Sequence, residues 1–242
     1  ENANLLLDEI IEKKSLQANV AYGFWPSNSE KDDIVLYKNE ERADELVRFN
    51  MLRQQKIRNE VALSLSDFIA PKNSEIDDYI GAFAVTTGIN AKKLSEKYES
   101  ENDDYNSIMV KAIADRLAEA FAELIHQRVR KEWGFPDASG IINQDLIKEK
   151  YRGIRPAFGY PACPNHEEKT KLFSILECEK IGMTLTENYS MMPAASVSGL
   201  YFAHPEARYF AVDRIGKDQL ENYARRKNMP IEDARRWLGP IL

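Results

Sequence analysis

At 242 residues, 43% hydrophobic and 30% charged, the chain has the length of one large domain or two small ones and the composition of a soluble globular protein with ample core material. Its 33 Lys and Arg against 39 Asp and Glu leave a net charge of −6. That excess of acid argues against a general nucleic-acid binder, whose phosphate contacts need a concentrated basic surface, and leaves a cationic or zwitterionic small ligand open.

No apolar run approaches the ~18 residues of a membrane span. Two cysteines, Cys163 and Cys178, are too few for a disulfide framework and suit a reducing, cytoplasmic compartment. Cys163 and His166 form a C-x-x-H pair, but no second pair follows at zinc spacing, so no metal site is expected. Glu1 is not an initiator methionine and no targeting signal follows it, so the chain reads as a piece of something longer.

Taken in chain order, residues 5–16 place Leu6, Leu7, Ile10 and Ile11 at helical spacing, and Val20, Tyr22 and Phe24 then alternate as in a strand. Residues 26–33 read as a polar turn segment and 34–37 as the return strand of a hairpin, while 43–52 fit helix and strand equally. A second β region spans 79–86, closed by Gly88. The strongest helix covers 105–131, with Met109, Ile113, Leu117, Ala120, Phe121, Leu124 and Ile125 in one apolar stripe. Another amphipathic helix is predicted over 168–180, and two β runs over 197–212 around the segment 203–207. Short helices at 217–228 and 231–238 close the chain, separated by Met229 and Pro230. Hairpins mixed with helices, without regular βαβ alternation or a glycine-rich phosphate loop, predict an α+β fold with helices packed on an antiparallel sheet.

The least ordinary stretch is 153–164, Gly-Ile-Arg-Pro-Ala-Phe-Gly-Tyr-Pro-Ala-Cys-Pro. Its three prolines and two glycines fit neither helix nor central strand, and predict a preformed loop presenting Arg155 and Tyr160. Arg155 offers a planar fork matched to a carboxylate; a rigid connector whose arginine pairs with an internal acid fits the same residues. On the long helix, Asp115, Glu119, Glu123, His126 and Arg130 run down one side as a polar stripe, which is either a solvated face or a set of acids facing a cationic ligand. His204 beside Pro205 reads as a turn or core hydrogen-bonder, and Tyr201, Phe202, Tyr209 and Phe210 as alternately core and surface residues of a hairpin. Arg225, Arg226, Lys227, Arg235 and Arg236 form a basic cluster, read as surface charge or a dock for an acidic partner.

The string from Arg155 to Pro164, together with Ser196-Val-Ser-Gly-Leu-Tyr-Phe-Ala-His-Pro205, resembles the C-terminal activation domain of cobalamin-dependent methionine synthase. Asp67-Phe-Ile-Ala-Pro71, Asp78-Tyr-Ile-Gly81-Ala-Phe and the stretch from Asp103 to Glu123 carry the same likeness, which runs nearly end to end. The resemblance implies a single C-shaped α+β domain over 1–242 with a twisted antiparallel sheet, binding S-adenosylmethionine across its inner surface. The family's D-W-x-P-F-F segment is absent, so the domain is expected to lack its usual N-terminal part.

By the same resemblance, the module supports reductive methylation of cob(II)alamin with an electron from flavodoxin or a flavoprotein reductase. The cobalamin is carried by a neighbouring module of the methyltransferase, and this chain alone is expected to be inactive. Carried over by motif, Arg155 holds the methionine carboxylate, Ala157, Tyr209 and Phe210 contact the ligand, Tyr160 approaches the cobalamin, and Glu119 and Glu149 line the cleft. Phe158 and Phe210 stand where some relatives carry a proline and a tyrosine. The competing reading is a non-catalytic interaction domain that docks a corrinoid protein or reductase, with a degenerate cleft. Neither reading involves nucleic acid or a membrane.

Overall fold

The computed structural model describes residues 2–56 and 61–242. Two compact units divide the chain: Glu1–Tyr22, Phe83–Pro136 and Phe173–Ser198 in the first, Gly23–Ala82, Asp137–Leu172 and Gly199–Leu242 in the second.

Helix α1, Asn2–Lys13, buries Leu6 and Ile10, four residues apart on one face, in a cluster with Tyr98, Val110 and Ile113. Strand β1, Gln17–Glu30, pairs antiparallel with β2, Asp33–Tyr37, through a turn in which Lys31 takes φ +58°. The predicted polar turn at 26–33 is therefore mostly strand. Ser27, Asn28 and Ser29 are buried opposite Leu36, Val35 and Ile34, and Ser29 Oγ donates to the Ile69 carbonyl at 2.9 Å while Asn28 Nδ2 donates to that of Ala70 at 3.2 Å. Asn28 and Ser29 have tertiary partners that make their burial tolerable, and no local pattern announces those partners, while the Ser27 hydroxyl is buried without one.

The ambiguous 43–52 stretch contains β3, Glu45–Asn50, antiparallel to β2. Strand β4, Asp78–Ile89, is buried along nearly its whole length and runs through Gly88, which was expected to end it. Two helices follow. Helix α2, Ala91–Ser100, begins after Asn90 at φ +68°, and α3, Asp104–Glu132, is capped by the Asp103 carboxylate accepting from the Asn106 amide at 3.0 Å.

The buried face of α3 is rotated from the expected stripe. It consists of Ser107, Val110, Ile113, Ala114, Ala118, Ala122, Ile125, His126, Val129 and Arg130, while Leu124 is exposed. Small residues bring the helix close to its neighbours, with Ala114 accepting at its carbonyl from Thr87 Oγ1 at 2.7 Å, so close approach outweighed side-chain size.

After α4, Asn143–Ile147, comes α5, Lys169–Ile175, flanked by 3-10 turns at His166–Glu168 and Cys178–Ile181. The helix expected over 168–180 is thus interrupted at Glu177, φ +50°. Short strands β5, Thr184–Leu185, and β6, Met191–Met192, pair with each other before β7, Ser196–Tyr201. Only the first of the two β runs expected in 197–212 is a strand. The second spends backbone groups elsewhere, Val212 N–H on the Pro161 carbonyl at 2.9 Å and the Ala211 carbonyl on Gln54 Nε2 at 2.7 Å. Helices α6, Lys217–Lys227, and α7, Ile231–Leu238, close a cluster of Leu52, Val212, Ile215, Leu220, Tyr223, Ala234 and Leu238.

The main sheet has the order β3-β2-β1-β4-β7. The fold is α+β, a twisted antiparallel sheet with packed helices, as the sequence predicts. Among the described residues no helix is long and apolar enough to cross a membrane.

Candidate functional site

The proline-rich loop at 153–164 belongs to the second unit and starts beside β7. Gly153 sits at φ +89°, where a Cβ would run into the Phe202 carbonyl. Its absence lets Ile154 exchange backbone hydrogen bonds with Phe202, at 3.1 and 3.0 Å, and Pro156 offer its carbonyl to Leu200 N–H at 3.0 Å. Proline has no donor to give, so this edge uses only the group that it has.

Held extended, the segment alternates. Ile154, Pro156 and Phe158 are buried, and Arg155, Ala157 and Gly159 between them stay partly accessible. Period two therefore sends the Arg155 and Ala157 side chains to one side. Phe158, 2% exposed, is the anchor, stacked on Phe49 at 5.3 Å between centroids. The chain then reverses: Tyr160 N–H donates to the Ala157 carbonyl at 3.2 Å, Gly159 N–H to the Cys163 carbonyl at 2.8 Å, and Cys163 Sγ to the Ala157 carbonyl at 3.0 Å. Gly159, φ +95°, leaves its Cβ volume to the His166 ring. Tyr160 projects from this turn with 63% of its surface exposed.

A second segment, 203–212, closes on the first. Tyr209 accepts the Arg155 backbone N–H on its hydroxyl at 3.1 Å, and Val212 N–H reaches the Pro161 carbonyl, so both ends of the loop are tied to it. Phe210, partly buried, packs against the Leu52–Tyr223 cluster and lies edge-on to Phe68 at 6.4 Å. His204 is a turn residue, its Nδ1 accepting from the Glu206 amide at 3.1 Å. The expected hairpin alternation fails, since Tyr201 and Phe202 are both 1% exposed while Tyr209 is 45% exposed.

Arg155 Nη1 donates to the Tyr151 hydroxyl at 2.7 Å. Tyr151 escaped the sequence reading because a lone tyrosine in irregular chain carries no periodic signal. Its only mark is its place four residues before Arg155. Of the predicted site residues, Arg155 and Tyr209 are joined by one of these bonds and Ala157 and Tyr160 by another, while Phe210 follows Tyr209 and packs on Phe68. Glu149 stands exposed just past α4 in the same unit, at φ +52°, and Glu119 is exposed on α3 in the first unit.

The polar stripe on α3 divides. Asp115 and Glu119 are exposed and Glu123 half-buried, but His126 and Arg130 are buried at 2% and 3% exposure, so the five do not share a solvated face. The basic cluster divides too. Arg226 pairs with buried Asp33 and reaches the Met51 carbonyl at 2.8 Å, and Lys227 pairs with Glu168, itself 1% exposed, and with Glu167 at 2.9 Å. Only Arg225, Arg235 and Arg236 of the five are exposed. Ion pairing across 193 residues of sequence separation is invisible to charge counting.

Burial pushes the Cys163 thiol up, so it stays neutral below the loop. A cavity of about 10 Å³ near Phe158, Cys163 and Glu168 has room for no more than one water. A shallow depression of about 530 Å³ near Glu30 and Asp67 is lined by charges already paired, Glu30 to Lys72 at 2.6 Å and Asp67 to Arg53 at 2.7 Å. Among the described residues no group of three or more His, Cys, Asp or Glu is placed to hold a metal ion. The loop surface, with a guanidinium held by Tyr151 and the exposed tyrosines Tyr160 and Tyr209, suits a small ligand with a carboxylate and a flat ring.

The chain is similar over its whole length to a solved chain of which it covers 75%, at 49% identity and a TM-score of 0.97, described as the crystal structure of the MetH reactivation domain bound to AdoHcy. The family described as vitamin B12 dependent methionine synthase, activation domain, matches residues 1–228. The chain therefore belongs to the activation-domain family of vitamin B12 dependent methionine synthase, a methyltransferase.

Proposed function

We propose that residues 1–242 act as one S-adenosylmethionine-binding reactivation module within a cobalamin-dependent methionine synthase. The observation that carries this reading is the alternation at 154–158, which turns Arg155 and Ala157 to one side while Tyr209 secures the Arg155 backbone. The same surface belongs to a chain 49% identical to a reactivation domain crystallised with AdoHcy, S-adenosylhomocysteine, the demethylated form of the ligand.

The residues fit the ligand's chemistry. A guanidinium oriented by Tyr151 presents the planar fork whose pairing with a carboxylate is strong. Ala157, partly accessible, is assigned to contact the ligand, and the Tyr209 and Phe210 rings offer apolar area for an adenine. Glu149, in the same unit as the loop, is assigned to offset the ligand's positive charge. When bound, S-adenosylmethionine supplies the methyl group that returns reduced cobalamin to its methylated form. The chain's own part is to bind and orient that donor; Tyr160, projecting from the turn, is assigned to the cobalamin of the neighbouring module. Alone, the chain binds without turnover.

Flavodoxin or a flavoprotein reductase is proposed as electron donor, in the cytoplasm, with Arg225, Arg235 and Arg236 as the exposed basic groups available to an acidic partner. Arg226 and Lys227 are spent on Asp33 and Glu168, which weakens the alternative of a pure docking domain built on the C-terminal basic cluster. Calorimetric titration of this chain and of Arg155→Ala with S-adenosylmethionine tests the reading. Saturable heat from the wild type, lost in the variant, supports it, and equal heats from both would sink it.

A further inference from the structure

Two basic groups below the Gly159 turn take no part in the ligand contacts proposed above. His166 opens the 3-10 turn His166–Glu168 and Lys169 begins α5, which places the two three residues apart on the same side of the chain. Lys169, 6% exposed, brings Nζ to 2.9 Å from His166 Nδ1. An ammonium has only donors, so Nδ1 is the acceptor, and the ring is neutral with its proton on Nε2. The ring edge at Cε1, between the two nitrogens, fills the volume that a Gly159 Cβ would take, against a backbone at φ +95° that only glycine adopts freely. The next residue is Tyr160.

Glu167 and Glu168, the acids next to the ring in sequence, are paired with other lysines. From the 3-10 turn, Glu167 is directed to Lys227 at 2.9 Å, and Glu168 to Lys171 at 2.9 Å and to Lys227. From the loop, Cys163 presents a buried neutral thiol. From α5, Lys169 is buried beside the ring, and that burial lowers its pKa from the ordinary lysine value.

We propose that His166 is a positioning residue for ligand binding at the 153–164 loop, acting through Gly159 and Tyr160 while its ring is neutral and held by Lys169. The proposal rests on the reading of that loop as the ligand-binding segment. Protonating Nδ1 replaces a hydrogen bond by two cations 2.9 Å apart, which pushes the ring off Lys169 and loosens the turn that it supports. Burial, then the Lys169 charge, lowers the His166 pKa below its ordinary value near ~6.5. A depressed histidine is neutral in both folded and unfolded chain at high pH. As pH falls below about 6.5 the unfolded chain gains a proton that the folded one resists, so the hold weakens on the acid side only.

Amide NMR of the ¹⁵N-labelled chain tests this without ligand, by following Gly159 and Tyr160 from about pH 8 to about pH 5 in the wild type, His166→Asn and Lys169→Met. Asparagine keeps an acceptor near the Nδ1 position and does not titrate. In the wild type both amides move with one midpoint below ~6.5; in His166→Asn they stay flat, and in Lys169→Met the midpoint rises toward ~6.5. Flat wild-type amides, or the same profile in His166→Asn, overturn the proposal. Titration with S-adenosylhomocysteine at about pH 7.5 and about pH 5.5 reads the consequence, a loss of roughly threefold or more in wild-type affinity that His166→Asn does not share. Equal wild-type affinity at both pH values also overturns it. A wild type that binds at neither pH overturns the ligand reading instead, and the amides still decide whether His166 controls the turn.

Discussion

Tyr151 accepts a hydrogen bond on its hydroxyl from Arg155 Nη1 at 2.7 Å, so the side chain assigned to the ligand's carboxylate is held by a residue four positions earlier in the same irregular segment. The arginine backbone is held separately, by Tyr209. Fixing both ends of a flexible side chain lowers the entropy that ligand binding must overcome.

Removing that hold is the first test. Tyr151→Phe keeps the ring and deletes one acceptor, at a cost of about 1 kcal/mol, and should weaken S-adenosylhomocysteine binding roughly fivefold by calorimetry with the melting temperature unchanged. Arg155→Ala should cost more, about tenfold or beyond, because a charge-assisted pair is lost. If Tyr151→Phe binds like the wild type, the tyrosine is incidental.

Gly159 and Gly134 share nearly the same backbone, φ +95° and φ +92°, but a Cβ at Gly159 meets the His166 ring and one at Gly134 meets nothing within 4 Å. Gly134→Ala should therefore lose about 1 kcal/mol from backbone strain alone, and Gly159→Ala about 2–3 kcal/mol from strain plus collision. Urea unfolding of the two variants measures the difference. Equal losses would mean that the ring moves aside at no cost.

Glu168 is 1% exposed and shared between Lys171 and Lys227, with the side chain of Lys227 only 7% exposed. Lys227→Met leaves the carboxylate with one ammonium, and the expected loss in denaturant unfolding is about 3 kcal/mol. Adding Glu168→Gln to that variant should recover part of it, since the stranded charge is gone. A double variant as unstable as the sum of the singles would show that the two groups do not interact.

Both thiols are free and buried, and burial raises both, Cys178 to about 12. The thiolate is the reactive form, so iodoacetamide at about pH 8 should label neither residue in the folded chain over hours and both in denaturant. Mass spectrometry reads the adducts, and rapid labelling of Cys163 in the native chain would mean that the 153–164 loop opens often.

Acid should act on the fold through the same loop. With His166 depressed by burial and by Lys169, stability is retained above about pH 6.5 and falls as pH drops below it, and Lys169→Met should flatten that limb of the curve. Thermal melts across the range check the sign.

Helices with strong periodicity were readable from the chain, as α1, α3, α6 and α7 show, and so was the hairpin partner β2. What misled was polarity. Ser27, Asn28 and Ser29 look like turn residues, yet Ile69 and Ala70, some 40 positions away, satisfy two of them inside a strand. On α3, counting large apolar residues pointed the helix wrongly, because Ala114, Ala118 and Ala122 face inward and Leu124 faces out. Arg226 and Lys227 read as surface charge for the same reason: their partners, Asp33 and Glu168, come from other elements.

The sequence by itself determined that 153–164 is a stiff, non-helical loop, since proline fixes φ and lacks a donor, and that Arg155 and Tyr160 are its chemically capable groups. Those properties are covalent and local. Only the tertiary structure decided which of its residues face outward, that Tyr151 and Tyr209 hold Arg155, and that His166 fills the space Gly159 leaves empty. Burial and partnership are set by chain segments far apart in sequence, and they decide whether a polar group is a surface charge, an internal pair or part of a site.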